Sequence, residues 1–367
     1  MSCSAAWEVV SVSPVPAARR VLAVLAVLAA GLAAGLLSAV PAAARPAADP
    51  RPTAVVALGD STASGEGAED YEPGTRGENG NWCHRSPAAY VHHTGLADAS
   101  VNLACSGADT TQVRFGTSTQ HTEGSQAERL VEVATRHRVT AVTLQIGAND
   151  DVALTATAVA CIRTFVDPTV GPCRNTIGPR LAERMAALAP KVEAAVADVR
   201  AAMRRAGYAD AAYAFVLASY ASPITEKMGP LHGVEGCPYS RADAEWGRTA
   251  LFPELSATLA AVADRAGVRF LDLSRATEGY EACSRPTRDA EWQRRITVDP
   301  RALVYGRLDA IGLHLFQESF HPSATGHAQI GGCLGEFVRG GDRRAACLVG
   351  PDGRLHAETA APAPAAA

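Results

Sequence analysis

Ala54-Val55-Val56-Ala57-Leu58-Gly59-Asp60-Ser61 is an apolar run without a polar break that stops abruptly at a glycine and two polar residues. A run this short, bounded by a turn signal, reads as a buried strand rather than a helix. Ser61 then stands just past the strand's carboxyl end. The small residues of Thr62-Ala63-Ser64-Gly65-Glu66-Gly67 let a helix or close loop begin there without crowding the hydroxyl. In an open α/β sheet that edge is where ligands bind. A Gly-Asp-Ser tripeptide recurs by chance, so its chemistry depends on partners elsewhere in the chain.

The same pattern repeats downstream. A strand is expected over 101–105, ending at Ser106-Gly107-Ala108-Asp109, and another over 141–146, ending at Gly147-Ala148-Asn149-Asp150. Two more are expected over 213–218 and 268–273. Helical spacing covers 126–137, 179–206, 242–266 and 326–338, with Pro190 expected to kink or split the second of these and Pro253 falling within the third. Five strands alternating with helices argue for an α/β fold, a three-layer α/β/α arrangement around a central, mostly parallel five-stranded sheet. The stretches 69–88, 161–173 and 223–239 read as loops that shape a site, and 277–318 is long, polar and unassigned.

The chain has 367 residues, 47% hydrophobic and 20% charged, enough for one large domain. Arg19-Arg20, an uncharged stretch over 21–40 and Pro41-Ala42-Ala43-Ala44 read as a signal peptide over 1–44, which predicts a secreted protein. An uncleaved membrane anchor is the alternative, because the apolar run is long enough to span a bilayer. A linker follows over 45–52, then a single folded domain over 53–350 and a low-complexity tail over 351–367. The net charge of −4 becomes −5 without the first 44 residues, which hold Glu8, Arg19 and Arg20. No basic stripe offsets that balance, so no nucleic-acid partner is expected.

Cys3 lies in the signal segment. The other eight cysteines, Cys83, Cys105, Cys161, Cys173, Cys237, Cys283, Cys333 and Cys347, form an even set that fits export and four disulfides. Of the 105 pairings that eight cysteines allow, their order along the chain makes pairing between neighbours the simplest. There is no Cys-x-x-Cys, which disfavours a zinc cluster or a thioredoxin-like site.

Cleaving an ester with a serine requires a nucleophile, a neutral imidazole to take its proton, and donors aimed at the oxyanion. Ser61 offers the hydroxyl, the N–H groups of Ser61 and Gly107 are backbone donors, and Asn149 adds a side-chain amide. Among ten histidines, His321 differs in context. It lies in Phe320-His321-Pro322-Ser323-Ala324-Thr325-Gly326-His327, directly before the last helix, and Pro322 fixes the backbone after it. His327 is its rival, though its place in a first helical turn suits capping or packing better.

These residues resemble the SGNH or GDSL-type hydrolases, and most closely their secreted actinobacterial lipase/esterase branch. Gly59-Asp60-Ser61 is similar to the first block of that family, Ser106-Gly107-Ala108 to the second, Gly147-Ala148-Asn149-Asp150 to the third, and His321-Pro322 with Gly326-His327 to the last. The blocks occur in family order over roughly 55–337. The resemblance implies a flavodoxin-like sheet, Ser61 as nucleophile, His321 as base, and an oxyanion hole of Ser61, Gly107 and Asn149. One departure is plain: the family often has Asp three residues before the histidine, where this chain has Glu318. Either Glu318 orients the imidazole through its carboxylate, or a main-chain carbonyl of Glu318 or Ser319 does so, as in some secreted relatives. Asp309 is a weaker candidate.

No Gly-x-Ser-x-Gly elbow surrounds Ser61 and no glycine cluster matches a phosphate loop. Asp60 and Asp150 read as turn or helix-start residues, so neither a metal nor any other cofactor is expected. The reading is a monomeric serine lipase or esterase acting on small-molecule or lipid esters, with transient contact at a lipid interface. A carbohydrate O-acetyl esterase, a phospholipase and a non-catalytic surface-binding module on the same fold are the alternatives.

Overall fold

In the computed structural model the described residues are 49–297, 314 and 316–359. The segment read as a signal peptide, the first half of the linker, Asp309 and the last eight residues lie outside them. From Arg51 onward the chain forms one unit.

The opening apolar run is β1 (Thr53–Gly59), buried from Ala54 to its end. It pairs in parallel with β2 (Ala99–Asn102) on one side and β3 (Arg138–Gln145) on the other. β4 (Ala214–Ala218), β5 (Arg269–Asp272), β6 (Arg344–Val349) and β7 (Leu355–Glu358) follow, giving the order β2-β1-β3-β4-β5-β6-β7. All neighbours run parallel except β6 and β7, which form an antiparallel pair. The first five strands have the flavodoxin-like order.

The expected α/β class stands, but the sheet has seven strands where five were read. The domain also extends past residue 350, because β7 lies in the stretch assigned to the tail. Arg344-Ala345-Ala346-Cys347 is poor in β-branched residues, which hides β6 from a propensity argument. The β6–β7 hairpin nevertheless turns on Pro351-Asp352-Gly353, a recognisable turn signal.

Side chains alternate across the sheet. Val56, Leu58, Val142, Leu144, Phe215, Leu217 and Phe270 face one layer, packed with the helices Gln126–Arg136, Leu181–Arg205 and Phe252–Ala266. Val55, Ala57, Ala141, Val216, Ala218 and Leu271 face the other, with Ile330, Leu334 and Phe337 of the helix Ala324–Gly340. The helix Leu181–Arg205 runs through Pro190 without the split that was one of the two outcomes expected there. Pro190 and Ala186, whose carbonyl loses its partner, are both exposed, so water satisfies the freed group. Pro253 sits in the first turn of its helix, directly after the π-helical turn Gly247–Leu251.

The disulfides join Cys83 to Cys105, Cys161 to Cys173, Cys237 to Cys283 and Cys333 to Cys347. Among the described residues no helix is long and apolar enough to cross a membrane.

Candidate active site

Gly59 creates the turn that presents Ser61. Its φ is +141°, and a Cβ there would lie 2.0 Å from the carbonyl oxygen of Gln145, so a side chain is excluded by space as well as by conformation. Gln126 holds this turn at both backbone atoms: its Oε1 accepts from Gly59 N at 2.8 Å and its Nε2 donates to Gly59 O at 2.8 Å. Asp60 caps the one-turn helix Ser61–Ser64, accepting from Thr62 N at 3.1 Å. Burial pushes the Asp60 carboxyl up to about 7, against the bonds from Tyr220 and Thr62. The Tyr220 hydroxyl donates to Asp60 and also accepts from Ala148 N at 3.3 Å, tying the serine turn to the loop that carries Asn149.

Ser61 and His321 meet. His321 Nε2 lies 2.7 Å from Ser61 Oγ, and its Nδ1 lies 3.1 Å from the carbonyl oxygen of Ser319. That second bond requires Nδ1 to carry the proton, which leaves the Nε2 lone pair facing the hydroxyl. Burial lowers the His321 pKa below the usual 6.5, favouring the neutral ring. The Glu318 carboxylate, the first of the two orienting groups considered above, bonds other partners. It is buried and accepts from Tyr71 OH at 2.9 Å and from Arg294 at 3.3 Å. Of the two carbonyls considered above, that of Ser319 lies within hydrogen-bond distance of Nδ1.

Gly107 and Asn149 flank the same edge. Gly107 has φ +81°, which turns its chain after β2. Among the described residues, neither its N–H nor that of Ser61 donates to a backbone or side-chain acceptor. Asn149 Nδ2 donates one hydrogen to Ala108 O at 2.8 Å, which orients the amide and leaves its second hydrogen free. Asp150 is a turn residue, its carbonyl accepting from Ala153 N at 3.0 Å, and its carboxylate accepts from Thr110 Oγ1 at 2.7 Å, bridging two loops.

His327 is buried, with Nε2 3.2 Å from Glu66 O, so it serves as an anchor of the last helix. Sequence reasoning missed Glu66 itself, together with Tyr71, His84, Ser106 Oγ, Tyr220 and Gln317. Nothing local marks these residues. Among the described residues no group of three or more His, Cys, Asp or Glu is placed to hold a metal ion.

The family model of the GDSL-like Lipase/Acylhydrolase family matches residues 57–329. The chain belongs to this family. As a GDSL-like acylhydrolase it is a carboxylic-ester hydrolase. It is 28% identical to Lipase 2 of Streptomyces coelicolor over 284 residues, which covers 74% of this chain and 87% of that one. Among solved structures, the extracellular lipase of Streptomyces rimosus aligns with TM-score 0.49 and 23% identity, over 75% of this chain and 94% of the lipase. Phospholipase A1 of Streptomyces albidoflavus aligns with TM-score 0.49 and 20% identity, over 75% of this chain and 94% of its own.

Proposed function

We propose that this GDSL-like hydrolase is a secreted serine lipase or esterase that works through an acyl-enzyme. The observation that carries the reading is the 2.7 Å approach of Ser61 Oγ to His321 Nε2, with Nδ1 held by the Ser319 carbonyl. His321 takes the proton of Ser61 as Oγ attacks the ester carbonyl. The resulting oxyanion sits among the N–H groups of Ser61 and Gly107 and the free amide hydrogen of Asn149. His321 then gives its proton to the departing alkoxide, leaving an acyl-Ser61 ester. Water, deprotonated by the same imidazole, cleaves that ester and restores the serine. No step calls for a metal or other cofactor. Eight cysteines in disulfides fit an oxidising, extracellular destination.

A lipid substrate is favoured over a small acetyl ester by an apolar patch beside the site. Val159, Phe165, Val166 and Val170 are exposed on and just before the segment closed by Cys161–Cys173, and Leu231 and Val234 on the loop leading to Cys237, with Val234 88% and Val166 74% exposed. The two segments touch through Phe165, whose ring lies 5.6 Å from that of His232. They reach the site through Phe320, the neighbour of His321, which packs on Tyr239 at 5.1 Å. A patch of this kind on a monomer suits contact with an acyl-chain interface.

The test is hydrolysis of p-nitrophenyl esters from acetate to palmitate by wild type and Ser61→Ala, with fluorophosphonate labelling of both. The reading expects turnover and labelling that vanish together in Ser61→Ala, and an optimum above acetate. An optimum at acetate favours the O-acetyl esterase, and a folded protein inert to ester and probe favours a binding module. Sequencing the exported protein from its amino terminus tests secretion: a start near residue 45 supports it, and an intact apolar segment means an anchor.

A further inference from the structure

The carboxylate of Glu66 is not used in the reaction just described. It is fully buried, five residues after Ser61, and it gathers side chains from three other segments. His84 Nδ1 lies 2.9 and 3.0 Å from its two oxygens, and Tyr71 OH lies 2.9 Å from one of them, its single hydrogen shared with Glu318. Ser106 Oγ donates at 2.7 Å from the position directly before Gly107. Gln317 Nε2 donates at 2.8 Å from the segment leading into His321. The Glu66 carbonyl accepts from His327, and at Gly67 a Cβ would lie 2.9 Å from the Cβ of His321. Burial alone would raise this carboxyl, but the charge and hydrogen bond of His84, with His321 and Ser106, hold it at about 2. The donors gathered around Glu66 favour its ionised form.

An imidazolium forming in a buried site needs a compensating charge. The Ser319 carbonyl is only a dipole, and Glu318 is directed to Tyr71 and Arg294. We propose that Glu66 is a positioning residue for ester hydrolysis: its carboxylate locks the serine turn, the oxyanion loop and the histidine segment into one frame and is the fixed negative charge that His321 faces on protonation. This rests on the Ser61–His321 reading. The titratable and charged groups around it are His84, Tyr71, Glu318, Arg294 and His327. Burial lowers the basicity of His321 most, the Glu66 charge is the largest influence raising it, and the His84 charge opposes Glu66.

The test measures kcat and KM across pH for wild type, Glu66→Gln, Glu66→Asp and Tyr71→Phe, with rates expressed per fluorophosphonate-reactive serine. Glu66→Gln is expected to lose about 100-fold in kcat with KM nearly unchanged, and its acid limb moves to lower pH. Glu66→Asp returns the limb toward wild type. Tyr71→Phe removes a hydrogen bond and no charge, so it lowers thermal stability and leaves the limb in place. A Glu66→Gln enzyme that labels normally and keeps the wild-type limb overturns the proposal. If Glu66→Gln does not fold, Ser106→Ala decides, since it cuts the tie to the oxyanion loop while keeping the carboxylate. A fall in kcat per labelled serine then supports the frame, and an unchanged kcat overturns it. Failure of wild type to label at Ser61 would instead remove the serine mechanism itself.

Discussion

His321 Nδ1 lies 3.1 Å from the carbonyl oxygen of Ser319, two residues earlier in the same segment. The group that fixes the tautomer is thus part of the main chain, and the carboxylate at Glu318 is engaged elsewhere. Glu318→Gln is expected to lower kcat/KM by less than about tenfold, whereas loss of a true triad acid costs about 10⁴. Steady-state kinetics on a soluble ester checks this, and a loss near the larger figure would make Glu318 a triad member.

Asn149 gives one amide hydrogen to Ala108 O and keeps the other for the substrate. Asn149→Ala should reduce kcat by about 100- to 1,000-fold with a much smaller change in KM, because the bond strengthens only as the oxyanion forms. Comparing the two parameters on one ester separates this from lost binding.

The acid limb of the reaction follows from the sign of the His321 shift. Burial lowers its pKa, and only the neutral ring accepts the serine proton. Activity should therefore rise with pH and reach half its plateau below pH 6.5, the usual histidine value. A profile of kcat/KM against pH that is half-maximal above that point contradicts the geometry.

Two glycines should respond differently to alanine. At Gly59 the new Cβ meets backbone, the Gln145 carbonyl at 2.0 Å, so Gly59→Ala should yield little soluble protein. At Gly107 it meets the far end of a side chain, Gln120 Nε2 at 2.6 Å, which can move aside. Gly107→Ala is expected to fold, at a cost of about 1 kcal/mol for the positive φ, and to lose turnover through displacement of its N–H. Yield, urea midpoint and kcat together distinguish the two cases.

The Cys83–Cys105 bridge spans 22 residues and anchors the chain two residues before Gly107. Replacing both cysteines with alanine should lower stability by about 3 kcal/mol. Urea unfolding of the double variant, monitored by tryptophan fluorescence, measures the loss.

Legibility from sequence followed the range of the forces involved. β1 could be read because five apolar residues and a glycine turn are a local signal, and the blocks at the ends of β2 and β3 share that form. β6 was missed because Arg344-Ala345-Ala346-Cys347 carries little strand propensity and β7 because an edge strand asks little of its side chains, and the proline does not split the long helix because its tolerance depends on which face meets water. Within the site, Ser61, Gly107, Asn149 and His321 were readable as residue types in suggestive places. The choice between Glu318 and the Ser319 carbonyl was not, since it turns on a few ångströms of loop path. Glu66 could not be read at all: its burial is made tolerable by Ser106 and Gln317, 40 and 251 residues away.

The four bridges also follow one another without overlap, Cys105 preceding Cys161, Cys173 preceding Cys237, and Cys283 preceding Cys333. No loop is nested inside another. A chain threaded amino terminus first through a translocon can seal each pair before the next one emerges, so the order of delivery itself proofreads the connectivity, and a catalyst of oxidation is enough where a shuffling isomerase would otherwise be needed.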